Sequence, residues 1–176
     1  MGKGFPQPKK ARMSRSKTKV VMVVFFYWKG TVHHETVPCG QMVNKQLYQE
    51  VLVHLRDAVR RKRPELWENQ TWMLHHDNAP AHALLLIHSY LAKHQTSVVP
   101  HPPYSPDLAP ADFFLFPKLK TTLKGCHFQT TEETQENAIR ELRAITESTF
   151  QEAFQQWKKR EWRVASRGDY FEGDSA

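Results

Sequence analysis

Nine consecutive apolar residues, Val20-Val21-Met22-Val23-Val24-Phe25-Phe26-Tyr27-Trp28, constrain this chain more than any other stretch. β-Branched and aromatic side chains suit a pleated surface, and a run with no polar interruption predicts a strand covered on both faces. The run is far too short for a membrane helix, which needs roughly 20 apolar residues. No small-residue cleavage site follows it, which argues against a secretory leader. Lys29-Gly30 can turn the chain into Thr31 to Val37, where Pro38, Cys39 and Gly40 stop it, so a hairpin is expected. A strand of this kind must be covered by helices, and the rest of the sequence supplies them.

Asn44 can cap a helix in which Leu47, Tyr48, Val51, Leu52, Leu55, Ala58 and Val59 recur at three-four spacing, with Arg60 to Arg63 at its negative end and Pro64 as its stop. Trp72 to His76 reads as a short strand ending at Asp77. Asn78 is the expected cap of a helix over Ala81 to His94, with Pro80 in its first turn. Val98 and Val99 predict another short strand before a loop stiffened by Pro100, Pro102, Pro103, Pro106 and Pro110. Pro110 opens a helical segment through Phe113, Phe114 and Phe116 that is broken or kinked at Pro117. Thr130 and Glu133 form a capping-box pattern before a helix bearing Ala138, Ile139, Leu142 and Ile145, and a last helix carries Phe150, Phe154 and Trp157. Strands alternating with helices define an α/β class with a mixed sheet.

The net charge of +7 is local. Lys3, Lys9, Lys10, Arg12, Arg15, Lys17 and Lys19 are seven bases without an acid, and the remaining chain carries 18 bases against 18 acids. A basic arm on a neutral body attracts phosphate backbones through counterion release and has the composition of a nuclear import signal. A solvated leader with no partner is the plain alternative. Cys39 and Cys126 make neither a disulfide framework nor a zinc pattern.

Two acids stand out by position. Asp77, in His75-His76-Asp77-Asn78-Ala79-Pro80-Ala81-His82, would be delivered by the end of a strand, where open α/β sheets present ligands. Asp112, after 34 intervening residues, lies in the first helical turn past Pro110. Two converging carboxylates suit Mg²⁺ or Mn²⁺ and phosphodiester chemistry, although such a site normally needs a third acid. Turn and capping roles remain open for both, and Asp107 in Ser105-Pro106-Asp107 reads as turn chemistry. Zinc at His75, His76 and His82 is disfavoured, because alternation sends His75 and His76 to opposite faces, and His33-His34 shares that defect. Trp157, Trp162, Tyr170 and Phe171 are expected in a core rather than on a base-stacking surface.

The segments His75 to His82 and Pro100 to Phe116 closely resemble the catalytic domain of mariner-type transposases. The likeness extends to Pro8 to Lys17, Arg60 to Trp67 and Gly168 to Asp174, and so covers nearly the whole chain. The resemblance implies a ribonuclease-H-like fold in which three aspartates bind two Mg²⁺ or Mn²⁺ ions for cleavage at transposon ends and strand transfer. It implies Asp77 as the second carboxylate and Asp112 as the third. The first is expected on a strand upstream of the Pro8-Lys9-Lys10-Ala11-Arg12 segment, ahead of Met1, and the family's amino-terminal helix-turn-helix pair is likewise expected to be missing. Glu35 is the only acid on the early strands, and nothing in its setting recommends it as a substitute.

The expected architecture is therefore an α/β, ribonuclease-H-like mixed sheet flanked by helices and lacking its first, central strand, so that the hairpin and the Trp72 strand face an unfilled slot. Residues 1–19 form a flexible basic arm and 20–176 a truncated catalytic core. The expected protein is a transposase-derived fragment, catalytically incomplete, binding its metal weakly and DNA through Lys9, Lys10, Arg12, Arg15, Lys17 and Lys19. Its expected setting is the nucleus, with DNA and a second copy or a full-length transposase as partners and no membrane. An active metal-dependent endonuclease is the alternative if a third carboxylate is supplied. A relic that does not fold stably is the other.

Overall fold

The apolar run forms the expected hairpin. Strand β1 (Val21–Tyr27) pairs antiparallel with β2 (Gly30–Val37), from Val21 opposite Val37 to Tyr27 opposite Gly30. The turn falls on Trp28 and Lys29, one residue earlier than the composition suggests. Gly30 follows at φ +123°, a conformation side-chain-bearing residues rarely adopt, and the Phe150 ring lies just beyond it. The register slips between Phe25 and Phe26, leaving Val32 as an extra residue in β2. That bulge turns Val32 into the core. Its carbonyl accepts a 2.7 Å hydrogen bond from Lys62 Nζ.

This computed structural model describes residues 20–165, apart from residues 83, 125, 127 and 129. After the hairpin come α1 (Lys45–Lys62), α2 (Pro64–Glu68), β3 (Met73–His75), α3 (Leu85–Lys93), β4 (Ser97–Val99), α4 (Phe116–Leu123), α5 (Thr131–Ala144) and α6 (Glu147–Ala165). The arm, with its Lys9, Lys10, Arg12, Arg15, Lys17 and Lys19, lies outside the described residues, as do Tyr170 and Phe171.

Local signals set the helix starts where a side chain meets an orphan N–H. Asn44 Oδ1 accepts from Leu47 N at 2.9 Å, and Thr130 Oγ1 from Glu133 N at 3.1 Å. The expected cap at Asn78 is not made. Helix α3 begins only at Leu85, preceded by Leu84 with no side-chain cap, and Asn78 Nδ2 donates instead to His101 O at 2.9 Å. Pro117 marks a change of helix type rather than a simple break. Residues Ala111–Leu115 form a π-helical turn, in which Phe116 N donates to Ala111 O, and α4 starts at Phe116 with Pro117 in its first turn. Pro117 has no N–H to continue the preceding ladder, which is consistent with the wider turn placed before it.

Strands β3 and β4 pair in parallel, Met73 to Ser97 through His75 to Val99. Among the described residues this parallel pair and the antiparallel hairpin remain two separate two-stranded ladders. Every β1 residue is only partly buried, short of the full cover the apolar run predicts, since β1 is hydrogen-bonded along one edge only. Side-chain packing holds the halves together. From α1, the buried Tyr48, Leu52, Leu55, Ala58 and Val59 join Val32 of β2 with Leu74 of β3 and Ile87 and Leu91 of α3 in one core. On the other face of β1, Met22, Val24 and Phe26 pack on Leu115, Leu119, Leu142 and Phe150. Helix α1 thus bridges both ladders, and the carboxyl-terminal helices cover the hairpin's opposite face.

Candidate functional site

Parallel pairing of β3 with β4 sends the chain out of both strands at the same sheet edge, where α/β folds gather ligand-binding loops. One exit carries Asp77 and the other leads through the proline-rich loop to Asp112. The Asn78–His101 hydrogen bond ties the two loops together. Both aspartates are exposed. Tyr104, on the way to Asp112, is fully exposed at φ +55°, a strained conformation in a loop anchored further on by the buried Leu108 and Ala109.

The Asp77 carboxylate is tightly held. Its Oδ1 accepts from Ala79 N at 3.0 Å and from His82 Nδ1 at 2.8 Å. The hydrogen bond from His82 leads in lowering its pKa to about 2, with the Ala79 amide assisting against partial burial. The carboxylate is therefore an anion throughout the neutral range, and His82 Nδ1 is the donor. His82 is itself fixed by rings. It lies 3.9 Å from the Tyr48 ring and 5.0 Å from His76, nearly parallel to the latter.

Beneath them, Tyr48 is 2% exposed, and its hydroxyl lies 2.8 Å from His76 Nδ1. Burial raises the phenol's pKa and lowers that of His76 to about 4. Tyr48 O–H must then donate to an unprotonated Nδ1, which leaves the His76 proton on Nε2. A buried tyrosine of α1 thus anchors the loop presenting Asp77, a role invisible in the three-four pattern that marks Tyr48 only as core.

Histidines 75 and 76 point apart, as strand alternation predicts. His75 meets His101 at 5.2 Å and Trp157 at 5.1 Å, on the side away from His76. Burial lowers its pKa too. These two histidines give the fold a pH dependence. The unfolded chain binds a proton on each near the ordinary value of 6.5, whereas folded His76 stays neutral down to about 4. Unfolding therefore takes up protons across this window, and stability present above pH 6.5 is lost as the pH falls toward 4. Allowing for partial exposure, the His76 contribution is about 1–3 kcal/mol. Urea midpoints at pH 7 and pH 4 check this, and His76→Gln should flatten the difference. An unchanged midpoint in the wild-type chain would refute it.

Asp112 sits in the π-helical turn, its N–H donating to Ala109 O at 2.9 Å. Insertions of this kind in a helix often accompany functional residues. The turn is secured from α6, where Arg160 lies 4.0 Å over the Phe113 ring and its Nη1 donates to Asp107 O at 2.7 Å. Asp107 occupies a 3₁₀ turn over Pro106–Leu108, in keeping with its turn reading. Arg160 is a supporting residue that no sequence pattern marks. Trp157 is partly buried against Phe154 and His75 but belongs to neither core cluster, and Trp162 is 60% exposed, so neither takes the core position expected of it.

As hard oxygen donors, Asp77 and Asp112 fit Mg²⁺ or Mn²⁺ in kind. They do not fit in number, because among the described residues neither belongs to a cluster of three ligand groups. The groove of about 630 Å³ along α6, lined by residues such as Trp28, Phe154, Trp157 and Glu161, contains neither aspartate.

Paired strands flanked by helices, with Asp77 and Asp112 on loops leaving one sheet edge, make an α/β domain whose structural matches place it in the ribonuclease-H-like class of catalytic domains. The same architecture is found in the Mos1 mariner transposase catalytic domain, which superposes with a TM-score of 0.74 at 30% identity over 87% of this chain and 76% of that one. A Mos1 paired-end complex with Mn matches with a TM-score of 0.82 at 32% identity over 98% of this chain and 51% of that one. The Mos1 transposase of Drosophila mauritiana is 35% identical over 133 residues, or 75% of this chain. The human histone-lysine N-methyltransferase SETMAR is 26% identical over 159 residues, or 88% of this chain. The family model for transposase (partial DDE domain) matches residues 1–69. The chain belongs to the mariner-type transposase family. It spans 39% of the length of the Drosophila protein and 23% of the human one. Mos1 catalytic domain structures contain Mg or Mn, and other Mos1 structures hold paired transposon ends. No helix among the described residues is long and apolar enough to cross a membrane.

Proposed function

We propose that this chain is a transposase-derived, DNA-binding catalytic core that presents two carboxylates of a divalent-metal site and, with no third acid gathered beside them among the described residues, is catalytically incomplete for phosphodiester cleavage and strand transfer. The observation that carries this reading is the preset Asp77 anion, held by His82 and Ala79 N beside a loop leading to Asp112. Asp77 and Asp112 would hold Mg²⁺ or Mn²⁺ weakly through carboxylate oxygens. A bound ion supplies Lewis-acid stabilisation of charge on phosphodiester oxygens. The protein's own part is to keep Asp77 ionised and oriented through His82, Tyr48 and Asn78, and to keep Asp112 on a turn braced by Arg160. DNA is the proposed partner, through Lys9, Lys10, Arg12, Arg15, Lys17 and Lys19. The nucleus is the proposed location, and a second copy or a full-length transposase is the proposed protein partner.

The test combines Mn²⁺ titration with a nicking assay on DNA bearing transposon ends. Weak Mn²⁺ binding should fall more than about tenfold in Asp77→Asn and again in Asp112→Asn, and no nicking should be seen with the wild-type chain. Binding unchanged in both variants would remove the metal assignment. Mn²⁺-dependent nicking lost in Asp77→Ala would overturn the claim of catalytic incompleteness in favour of an active endonuclease.

A further inference from the structure

A second ligand cluster lies on the α1 face of the hairpin, built from residues that the family site does not use. His33 and Glu35 stand two apart on β2, opposite Phe25 and Val23 respectively. Alternation alone would put Val32 and His33 on opposite faces. The bulge at Val32 allows both to meet α1, Val32 in the core beside Leu52 and Leu55, and His33 against His54. His34 turns the other way, toward the charge of Arg143 on α5.

Three ligand atoms converge here. Glu35 Oε1 lies 2.6 Å from His33 Nε2 and 2.8 Å from His54 Nδ1, and one nitrogen or oxygen from each residue falls within 4.8 Å of the others. Among the described residues this is the group whose His, Cys, Asp or Glu atoms meet that condition. His33 and Glu35 are mostly covered, at 19% and 25% side-chain exposure, while His54 is 57% exposed, so the cluster is fixed on the strand side and open on the helix side.

We infer that His33 Nε2, Glu35 Oε1 and His54 Nδ1 form a site for Zn²⁺ or a similar borderline transition metal, with solvent completing a four-coordinate shell. Two imidazoles and a carboxylate are a zinc donor set, and nitrogen-rich ligation separates this site from the all-oxygen chemistry of Asp77 and Asp112. Zinc ligands at about 2.0–2.2 Å stand roughly 3.3 Å apart in a tetrahedron, so the Glu35–His54 separation has to open by about 0.5 Å and the Glu35–His33 separation by about 0.7 Å. The exposed His54 side chain can supply the first movement, and a small rotation of the Glu35 carboxylate the second. Each neutral imidazole would then carry its proton on the other ring nitrogen, His33 on Nδ1 and His54 on Nε2. The ion would take the place of two N–H groups that now share one carboxylate oxygen, and it would join the hairpin directly to α1.

The experiment uses the untagged full chain with ZnCl₂ or CoCl₂ alone, read by calorimetric titration and by the visible spectrum of bound Co²⁺. One equivalent should bind, with the absorption of a four-coordinate cobalt centre, and Zn²⁺ should raise the thermal midpoint. His54→Gln and Glu35→Gln should each weaken Zn²⁺ binding more than about tenfold and erase the cobalt spectrum. His34→Gln, on the opposite face of β2, should leave both unchanged, and so should Asp77→Asn. Because His54 is largely exposed, His54→Gln is expected to keep the metal-free circular dichroism spectrum and thermal midpoint. Absence of a four-coordinate cobalt spectrum, or Zn²⁺ affinity unaltered in His54→Gln and Glu35→Gln, would overturn the site. Loss of affinity in Asp77→Asn but not in these two would move the binding to the acidic loops.

Discussion

Phe150→Ala is expected to cost about 3–5 kcal/mol, a large part of the stability of an ordinary domain. The side chain is 1% exposed and sits where α6 meets the hairpin. It packs on Phe26 at 5.7 Å and on Phe114 at 5.5 Å, shares a core with Leu115, Leu119 and Leu142, and underlies the positive-φ turn at Gly30. No second row of strand hydrogen bonds holds β1 among the described residues, so removing this ring leaves the hairpin attached chiefly through the α1 core. Denaturant unfolding followed by circular dichroism and by tryptophan fluorescence should show a sharply lowered midpoint, or no cooperative transition at all. Phe150→Leu, which keeps most of the volume, should cost much less. A loss below about 1 kcal/mol for the alanine variant would mean that α6 does not clamp the hairpin.

Deleting residues 1–19 should remove most of the DNA affinity and nearly all of its salt dependence. The arm carries seven of the 25 bases, and what remains is balanced at 18 of each sign. If six or seven phosphates are neutralised, the log–log slope against salt is about −6, so affinity falls by a factor on the order of 10³–10⁴ between 50 and 200 mM salt. The deleted chain should show a slope near zero over the same range. Fluorescence anisotropy with a labelled duplex measures both. Equal affinity and slope in the two chains would refute the arm as the DNA contact and direct attention to the folded body.

The two outcomes are independent, since one concerns packing around β1 and the other concerns charge density outside the described residues. They also bear on the relic alternative. A cooperative transition in the wild-type chain would exclude it, because a chain that does not fold stably has none to lose.

Much of the secondary structure was legible because its causes are local. An asparagine or threonine before an amphipathic run names its own orphan N–H, as Asn44 and Thr130 do. The hairpin followed from an apolar run ended by a turn. Helix α3 starts later than the sequence predicts because Asn78 has two uses within reach and takes the carbonyl of His101, 23 residues away, over the helix end. The π-helical turn at Asp112 was also out of view, for Pro117 announces a disturbance without saying which form it takes.

The site divides in the same way. Resemblance in the words around Asp77 and Asp112 singled out both residues, while their supports could be found only in three dimensions. Tyr48 reads as one more apolar position on a helix until its hydroxyl meets His76, and Arg160 reads as a surface base until it covers Phe113. Composition and short-range pattern by themselves determined the α/β class, the hairpin and the helix caps at Asn44 and Thr130, because each depends on neighbours a few residues apart. Tertiary structure alone decided that the strands form two separate ladders bridged by α1, that His82 and Tyr48 hold Asp77, and that a one-residue bulge lets His33 and Glu35 meet His54. Those outcomes depend on contacts between segments distant in sequence, whose geometry is set only when the helices pack.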